Sequence, residues 1–309
     1  MADFSFGQAI GAGFGVVARK PLVLLVWTVA YLVLVTLPTI ALMIQGLPEV
    51  AAGVRDAAKH AVQGAAPSLG QFIAIQSRIA MLQWAVWLVQ IISYTILAGA
   101  IFRAVLEPTA SKWGYLRLSG QEFWLFLTNL ACGLLAILSL LTLSLPLQLG
   151  AAIANLGARQ GHGPGPGAIW SYYLIGFGGL GLIFWMASRL CLALPLAFDQ
   201  RRFALSESLK LTRGLAAKMF ATALALLLIV WLSQVGFRAL GQVIGMQGVV
   251  VHLTSGAAKA SPPVVVGQLV PLVLGYFGLT TLISMTVLVI VVAPMASIYQ
   301  QLGGRSASA

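Results

Sequence analysis

Formal charge, acidic charge above all, is what this sequence has least of. Seven of its 309 residues are Asp or Glu and 18 are Lys or Arg, so charged side chains make up 8% of the chain against 60% for hydrophobic ones. Soluble domains average about 25% charged residues and use them to cover their surface. A water-soluble globule is therefore excluded, and the mean hydropathy of +0.95 places the chain among integral membrane proteins.

The few polar groups also exclude most chemistry. The three histidines, His60, His162 and His252, stand apart in predicted outer loops, with no HExxH or CxxC pattern and no paired His, so no metal site is expected. Two cysteines, Cys132 and Cys191, fall inside apolar stretches and read as small packing residues rather than a disulfide framework. The carboxylates are Asp3, Glu49, Asp56, Glu107, Glu122, Asp199 and Glu207, and none is expected at mid-membrane. Proton-coupled transporters and intramembrane proteases commonly carry buried acids there. No GxSxG elbow occurs, and the glycine cluster Gly176, Gly178, Gly179 and Gly181 follows no strand, so it reads as helix packing and not as a phosphate loop. The pairs Gly7/Gly11, Gly11/Gly15 and Gly241/Gly245 are packing candidates of the same kind. No catalytic residue, cofactor or enzymatic activity is expected.

What the chain does contain is long charge-free runs. A helix needs about 20 apolar residues to cross roughly 30 Å of hydrocarbon. Such gaps lie between Lys20 and Glu49, Arg78 and Arg103, Glu122 and Arg159, Arg159 and Arg189, Lys218 and Arg238, and Lys259 and Arg305. They are continuous rather than alternating, which selects helices over a barrel. The fold class expected is all-α: a polytopic transmembrane helix bundle of six spans, near 21–44, 76–102, 122–146, 168–197, 217–241 and 266–298, with residues 1–309 forming a single integral membrane domain. Pro271 and Pro294 leave the last run open as one span or as a span plus an interfacial piece, and the third run could continue past Pro146. The first run is too long for a signal-peptide core and lacks a cleavage site, so it reads as a retained span.

Orientation follows from Lys and Arg in short loops. With the N-terminus inside, the inner face collects Arg19, Lys20, Arg103, Lys112, Arg117, Arg201, Arg202, Lys210, Arg213, Lys218 and Arg305, eleven cations against the six outer ones, Arg55, Lys59, Arg78, Arg159, Arg238 and Lys259. Both termini are expected to be cytoplasmic. The net charge of +11 is thus accounted for by positive-inside bias and anionic headgroups, and no nucleic-acid role is assigned.

Amphipathic segments precede the first and fifth spans. Phe6, Ile10, Phe14 and Val17 recur at helical spacing within 4–20, and Leu205 and Leu209 do so within 203–214, where Gly214 is placed to end the helix. Both are expected to lie on the inner face. In the outer loop, residues 48–66 space Val50, Val54, Ala58 and Val62 four apart, the pattern of a short amphipathic helix, and Gly161–Gly167 reads as a flexible turn. The inner ends of the even spans echo one another: Arg103 to Pro108, Arg189 to Pro195, and Val292 to Pro294 without an Arg. Three helical hairpins with an internal repeat fit this pattern, as does mere similarity of composition.

The candidate contacts for headgroups or a partner are Arg103, Arg117, Arg189, Arg201, Arg202, Lys210 and Arg213, with Glu107, Glu122, Asp199 and Glu207 as candidate ion-pair partners. Arg103 and Glu107 stand one turn apart, the spacing of a local pair. Arg189 lies inside a span, where it either snorkels to phosphates or pairs with Asp199, Glu107 or Glu207 in a cytoplasm-facing cleft.

Three sets of residues also carry a resemblance: Phe4-Ser5-Phe6-Gly7 with Arg19-Lys20-Pro21; Pro108 with Tyr115-Leu116-Arg117-Leu118 and Glu122; and Arg189, Pro195, Ala204, Ser208 and Leu211-Thr212-Arg213-Gly214. Over most of its length the chain resembles bacterial six-span inner-membrane proteins of the YciC-like family and the membrane domains attached to some glycerophosphodiester phosphodiesterases. The resemblance implies a bacterial-type inner membrane and a noncatalytic module, because in those phosphodiesterases the catalytic barrel is a separate domain. The expected role is nonenzymatic: binding or helping to move lipid-like amphiphiles, with anionic membrane lipids as partners, or scaffolding a membrane-protein complex or homo-oligomer. The alternative is a transporter or channel subunit with a pathway between the repeated hairpins.

Overall fold

The structure is a computed structural model that describes residues 4–62, 69–108, 112–117, 119–159, 166–243 and 263–303. His162 with most of the Gly161–Gly167 turn, Gly245, His252, Lys259 and Arg305 lie outside the described residues. Within them the chain is helical between short turns, with no strand. Six segments are long and apolar enough to cross a membrane: Pro21–Gly46, Ile73–Leu106, Gly120–Gln148, Tyr173–Gln200, Ala216–Gln242 and Gly275–Gln301. The chain is a six-span helical bundle.

Prolines set the joints. Helix α1 (Phe6–Arg19) stops at Lys20, whose φ of −131° and ψ of 57° leave the helical region, because the ring of Pro21 crowds the backbone of the residue before it. Pro21 then starts α2 (Pro21–Tyr31) at a position where its missing N–H costs nothing. A π-helical turn, Leu32–Thr36, leads into α3 (Leu37–Val62). Pro38, in the first turn of α3, has no N–H for the carbonyl of Leu34, and the Ser93 hydroxyl donates to that oxygen at 2.6 Å. Helix α3 runs without a break to Val62, so the described part of the 48–66 segment, with Val50, Val54, Ala58 and Val62, belongs to an extension of the first span and not to a separate outer helix.

Helix α4 (Leu69–Leu106) returns antiparallel to α2 and α3 and is followed by a 3-10 turn, Lys112–Tyr115. Helix α5 (Gly120–Arg159) carries Pro146 internally and continues past it. The fourth span, expected as one helix over 168–197, is divided: α6 (Pro166–Leu190) ends in a turn at Cys191–Leu192 and α7 (Ala193–Gln200) resumes. Pro195 offers no N–H to the carbonyl four residues back, which is that of Cys191, and so favours a break there. The segment expected over 203–214 forms a shorter helix, α8 (Leu205–Leu211), and Gly214 turns the chain at φ +87°. Helix α9 (Ala216–Val243) and a single unbroken α10 (Pro263–Gln301), in which neither Pro271 nor Pro294 interrupts the helix, complete the bundle.

The backbone N–H of Ser5 donates to the Gln301 Oε1 at 2.7 Å, so both described ends of the chain meet at one end of the bundle, here called proximal. Among the described residues, buried side chains concentrate in that half. They include Trp27 of α2, Leu97 to Ala104 of α4, Leu125 of α5, Met219 and Leu226 of α9, and Met285, Val289, Ala293, Ala296 and Ile298 of α10. Helix α7 packs among α4, α5 and α10 with Ala193, Pro195, Leu196, Ala197 and Phe198 buried, which makes it a plug at the proximal end. Toward the distal end, Leu138 and Leu145 of α5, Leu174 and Phe177 of α6, and Leu228 and Trp231 of α9 are exposed, as suits flanks solvated by lipid.

Helix α1 does not present its glycine pairs to a neighbour. A Cβ at Gly7, Gly11 or Gly15 would meet nothing within 4 Å, whereas one at Gly13 would come within 2.7 Å of the Ile290 Cα. The close-packing face is Ala9 and Gly13 laid on α10, while Phe6 and Phe14 remain exposed. In the glycine cluster of α6, Gly179 is the tight position, where a Cβ would meet the Leu143 side chain of α5.

Candidate functional site

The proximal loops are built around two arginines. Arg103 closes α4 with its side chain 3% exposed, and it pairs with Glu122, itself 6% exposed. Its guanidinium also donates to the carbonyls of Tyr115 (3.2 Å) and Arg117 (3.0 Å), to Ser119 Oγ (3.0 Å) and to Gln121 Oε1 (3.4 Å), and it lies 5.4 Å from the Phe198 ring centroid. A guanidinium has five N–H donors, and a charge this deep is tolerable when they are met. Here one side chain holds Tyr115, Arg117, Ser119 and Gln121 between the second and third spans.

Glu122 is held for the same purpose. Ser119 and Glu122 form a reciprocal capping box at the start of α5. The Ser119 N–H and hydroxyl each donate to Glu122 Oε2 at 2.7 Å, and Ser119 Oγ accepts from the Gln121 N–H at 3.3 Å. Gly99 faces the carboxylate, and a Cβ there would stand 3.2 Å from Glu122 Oε1. The Ser-x-x-Glu spacing at 119–122 was the signal available in the sequence for this arrangement.

Lys20 adds a brace that nothing in the local pattern foretold. Its ammonium donates to the Tyr115 hydroxyl at 2.7 Å, and that hydroxyl donates to the Pro108 carbonyl at 2.9 Å. The Trp27 indole N–H donates to the Gly114 carbonyl at 2.7 Å. Gly114 and Tyr115 both take positive φ, 63° and 67°, so the loop is folded back against α2.

Arg189 does at α6 what Arg103 does at α4. Its guanidinium donates to the Leu209 carbonyl at 2.6 Å and to Thr212 Oγ1 at 3.3 Å, and it sits 5.2 Å from the Trp185 ring. The Ser208 hydroxyl donates to the Arg189 carbonyl at 2.7 Å. Its partners are therefore the C-terminal end of α8, where a cation is favoured by the helix dipole, and not Asp199, Glu107 or Glu207. The arginines of two hairpins thus grip the backbone of the loop that follows each. At the corresponding end of the last span, which has no Arg, Gln300 donates its amide to the Val105 carbonyl of α4 at 3.1 Å. Replacing Arg189 with Met should cost about 2 kcal/mol, the usual worth of hydrogen bonds to a charged group, and should speed tryptic cleavage at Arg201 to Arg213. Equal cleavage rates would show that α8 is anchored elsewhere.

Of the expected headgroup contacts, Arg103 and Arg189 are consumed inside the protein. Arg117, Arg201, Arg202, Lys210 and Arg213 are exposed at the proximal end. Arg201 ends α7 in the left-handed conformation at φ 52°. Arg202 reaches Glu207 at 2.9 Å and Gln200 at 3.0 Å, in the open, where a pair of this kind contributes little. Asp199 accepts from the Tyr299 hydroxyl at 2.7 Å. Glu107 is half-buried, and Arg103 takes Glu122 rather than Glu107 as its partner. Among the described residues no cluster of three or more His, Cys, Asp and Glu could hold a metal ion.

Fold and site define a multi-pass α-helical membrane protein in which, among the described residues, exposed Arg117, Arg201, Arg202, Lys210, Arg213 and Lys218 lie at the end where both described termini meet. No family model, curated protein or solved structure matches the chain.

Proposed function

We propose that this is a nonenzymatic protein of a bacterial-type inner membrane, with both termini cytoplasmic, that binds or helps to move anionic lipid-like amphiphiles. The observation that carries this reading is the segment from Arg201 to Arg213. Arg201, Arg202, Lys210 and Arg213 are exposed there beside the exposed Phe203, while Arg189 fixes the segment to the bundle from beneath. Cations with an adjacent aromatic at a membrane boundary attract anionic headgroups. The positive-inside count supports a cytoplasmic location for that end, and the resemblance to the YciC-like proteins supports a bacterial-type inner membrane. Scaffolding of a complex is compatible with the same surface.

The test is competitive. Purified protein in mild detergent is offered equal phosphatidylglycerol and phosphatidylcholine, and bound lipid is counted by native mass spectrometry. Replacing Arg201, Arg202, Lys210 and Arg213 together with Gln should lower the preference for phosphatidylglycerol about tenfold. An unchanged preference would remove the reading.

A further inference from the structure

A furrow of about 240 Å³ lies between α6, α9 and α10 in the proximal half of the bundle. Its proximal floor is Cys191, Met219 and Ile298, and its far end is Phe184, Val230 and Val291. Met219 and Ile298 are fully buried members of the core cluster that also contains Phe4, Ala9 and Leu192, so the floor is solid protein. The rim is different: Leu227 lines the furrow and is half exposed, so the space opens sideways toward the lipid-facing flank. From Met219 to Val230 the wall is eleven residues of helix, about 16 Å.

The lining has no side-chain donor to spare. The Ser188 hydroxyl donates to the Trp185 carbonyl, the Cys191 thiol to the Ser188 carbonyl and the Thr222 hydroxyl to the Lys218 carbonyl, each three or four residues back along the chain. The remaining lining side chains are hydrocarbon or thioether. A guest must therefore be apolar along its length. The volume is below the roughly 300–1,000 Å³ typical of pockets for drug-sized ligands, which suits a single flexible chain rather than a broad rigid body.

Charge supplies the other end of the guest. Lys218 directly precedes Met219, and Lys210 and Arg213 stand exposed on α8 and the turn that leads into α9. A bilayer phospholipid of the proximal leaflet keeps its phosphate at the boundary and sends its chains toward the midplane, which is the direction from Lys218 along the furrow to Val230. We infer that this furrow binds one acyl chain of an anionic bilayer phospholipid whose headgroup rests at Lys210, Arg213 and Lys218. The inference deepens the proposed function and rests on it, giving the amphiphile a chain site distinct from the surface at Arg201 and Arg202.

The test uses the full chain in proteoliposomes doped with phosphatidylglycerol that carries a diazirine near the middle of one acyl chain. Photoadducts should concentrate on residues 219–230 and 291–298. Ala223→Trp fills the furrow from α9 and Ala187→Trp fills it from α6, and each should abolish those adducts. Leu224→Trp, on an exposed flank one residue away, should leave them. The same diazirine on phosphatidylcholine should label the furrow less, and Lys210→Gln, Arg213→Gln and Lys218→Gln together should erase that difference. Adducts spread evenly over exposed Leu138, Leu145 and Leu174, or undiminished in both Trp variants, would overturn the site. If the headgroup preference measured in detergent survives while the furrow stays unlabelled, this inference fails alone; if both vanish, the functional reading fails with it.

Discussion

Glu122→Gln is expected to destabilise the folded chain by about 3–5 kcal/mol, because it leaves Arg103 charged, buried and short of its counter-charge. Few substitutions in this protein should cost more. The carboxylate neutralises a guanidinium that is 3% exposed, and it also completes the cap of α5 through Ser119. Thermal unfolding in detergent, followed by the reaction of Cys132 and Cys191 with a thiol-reactive dye, reads the effect directly. Arg103→Met should be as damaging, since it strands the carboxylate instead. The double variant Arg103→Met with Glu122→Leu should recover much of the loss, because an apolar pair of similar volume bears no desolvation cost. Additive losses in the double variant would show that the two side chains act separately and that the loop is not organised by their pairing.

Gly13→Leu should detach α1 from α10. Its new Cβ would stand 2.7 Å from the Ile290 Cα, a backbone atom that cannot yield without moving the helix. Overpacking of a tight contact costs about 1–3 kcal/mol where side chains can repack, and here the obstacle is main chain. Gly11→Leu is the matched control, since a Cβ there meets nothing within 4 Å. The readout is a short thiol crosslinker between Ser5→Cys and Gln301→Cys in a chain whose Cys132 and Cys191 are replaced by Ala. Crosslinking should be efficient in the parent and in Gly11→Leu and lost in Gly13→Leu. Equal crosslinking in all three would mean that α1 is held by something other than this contact. No crosslinking even in the parent would contradict the meeting of the two chain ends.

The contrast between Gly11 and Gly13 marks how far the sequence is legible. The GxxxG spacing of Gly7, Gly11 and Gly15 is the more conspicuous pattern, yet the packed face is Ala9 and Gly13, two residues round the helix. Small residues permit close approach on any face that presents them, and the neighbour decides which face is used. The same limit applies to the ion pairs. Arg103 and Glu107 satisfy the one-turn rule, but Glu122 lies across the loop with its carboxylate already oriented by Ser119, and it takes the guanidinium. Arg189 had three candidate carboxylates and takes none of them as its partner. It binds the backbone carbonyl of Leu209, and a carbonyl has no residue identity for a sequence pattern to reveal.

What the sequence determined by itself is the number of crossings and their limits. Hydrocarbon admits no unpaired backbone and few charges, so the charge-free runs had to become helices, and the span expected near 122–146 is found at Gly120–Gln148 and that near 217–241 at Ala216–Gln242. It also determined the joint between α1 and α2, since Pro21 acts on Lys20 through bonded neighbours alone. Only the tertiary structure decided which cations remain outside and which become struts, why the buried residues crowd toward one end, and that a furrow opens between α6, α9 and α10. The physical reason is that solvation by lipid is a property of each segment, whereas burial, pairing and cavity shape depend on which faces of separate helices meet.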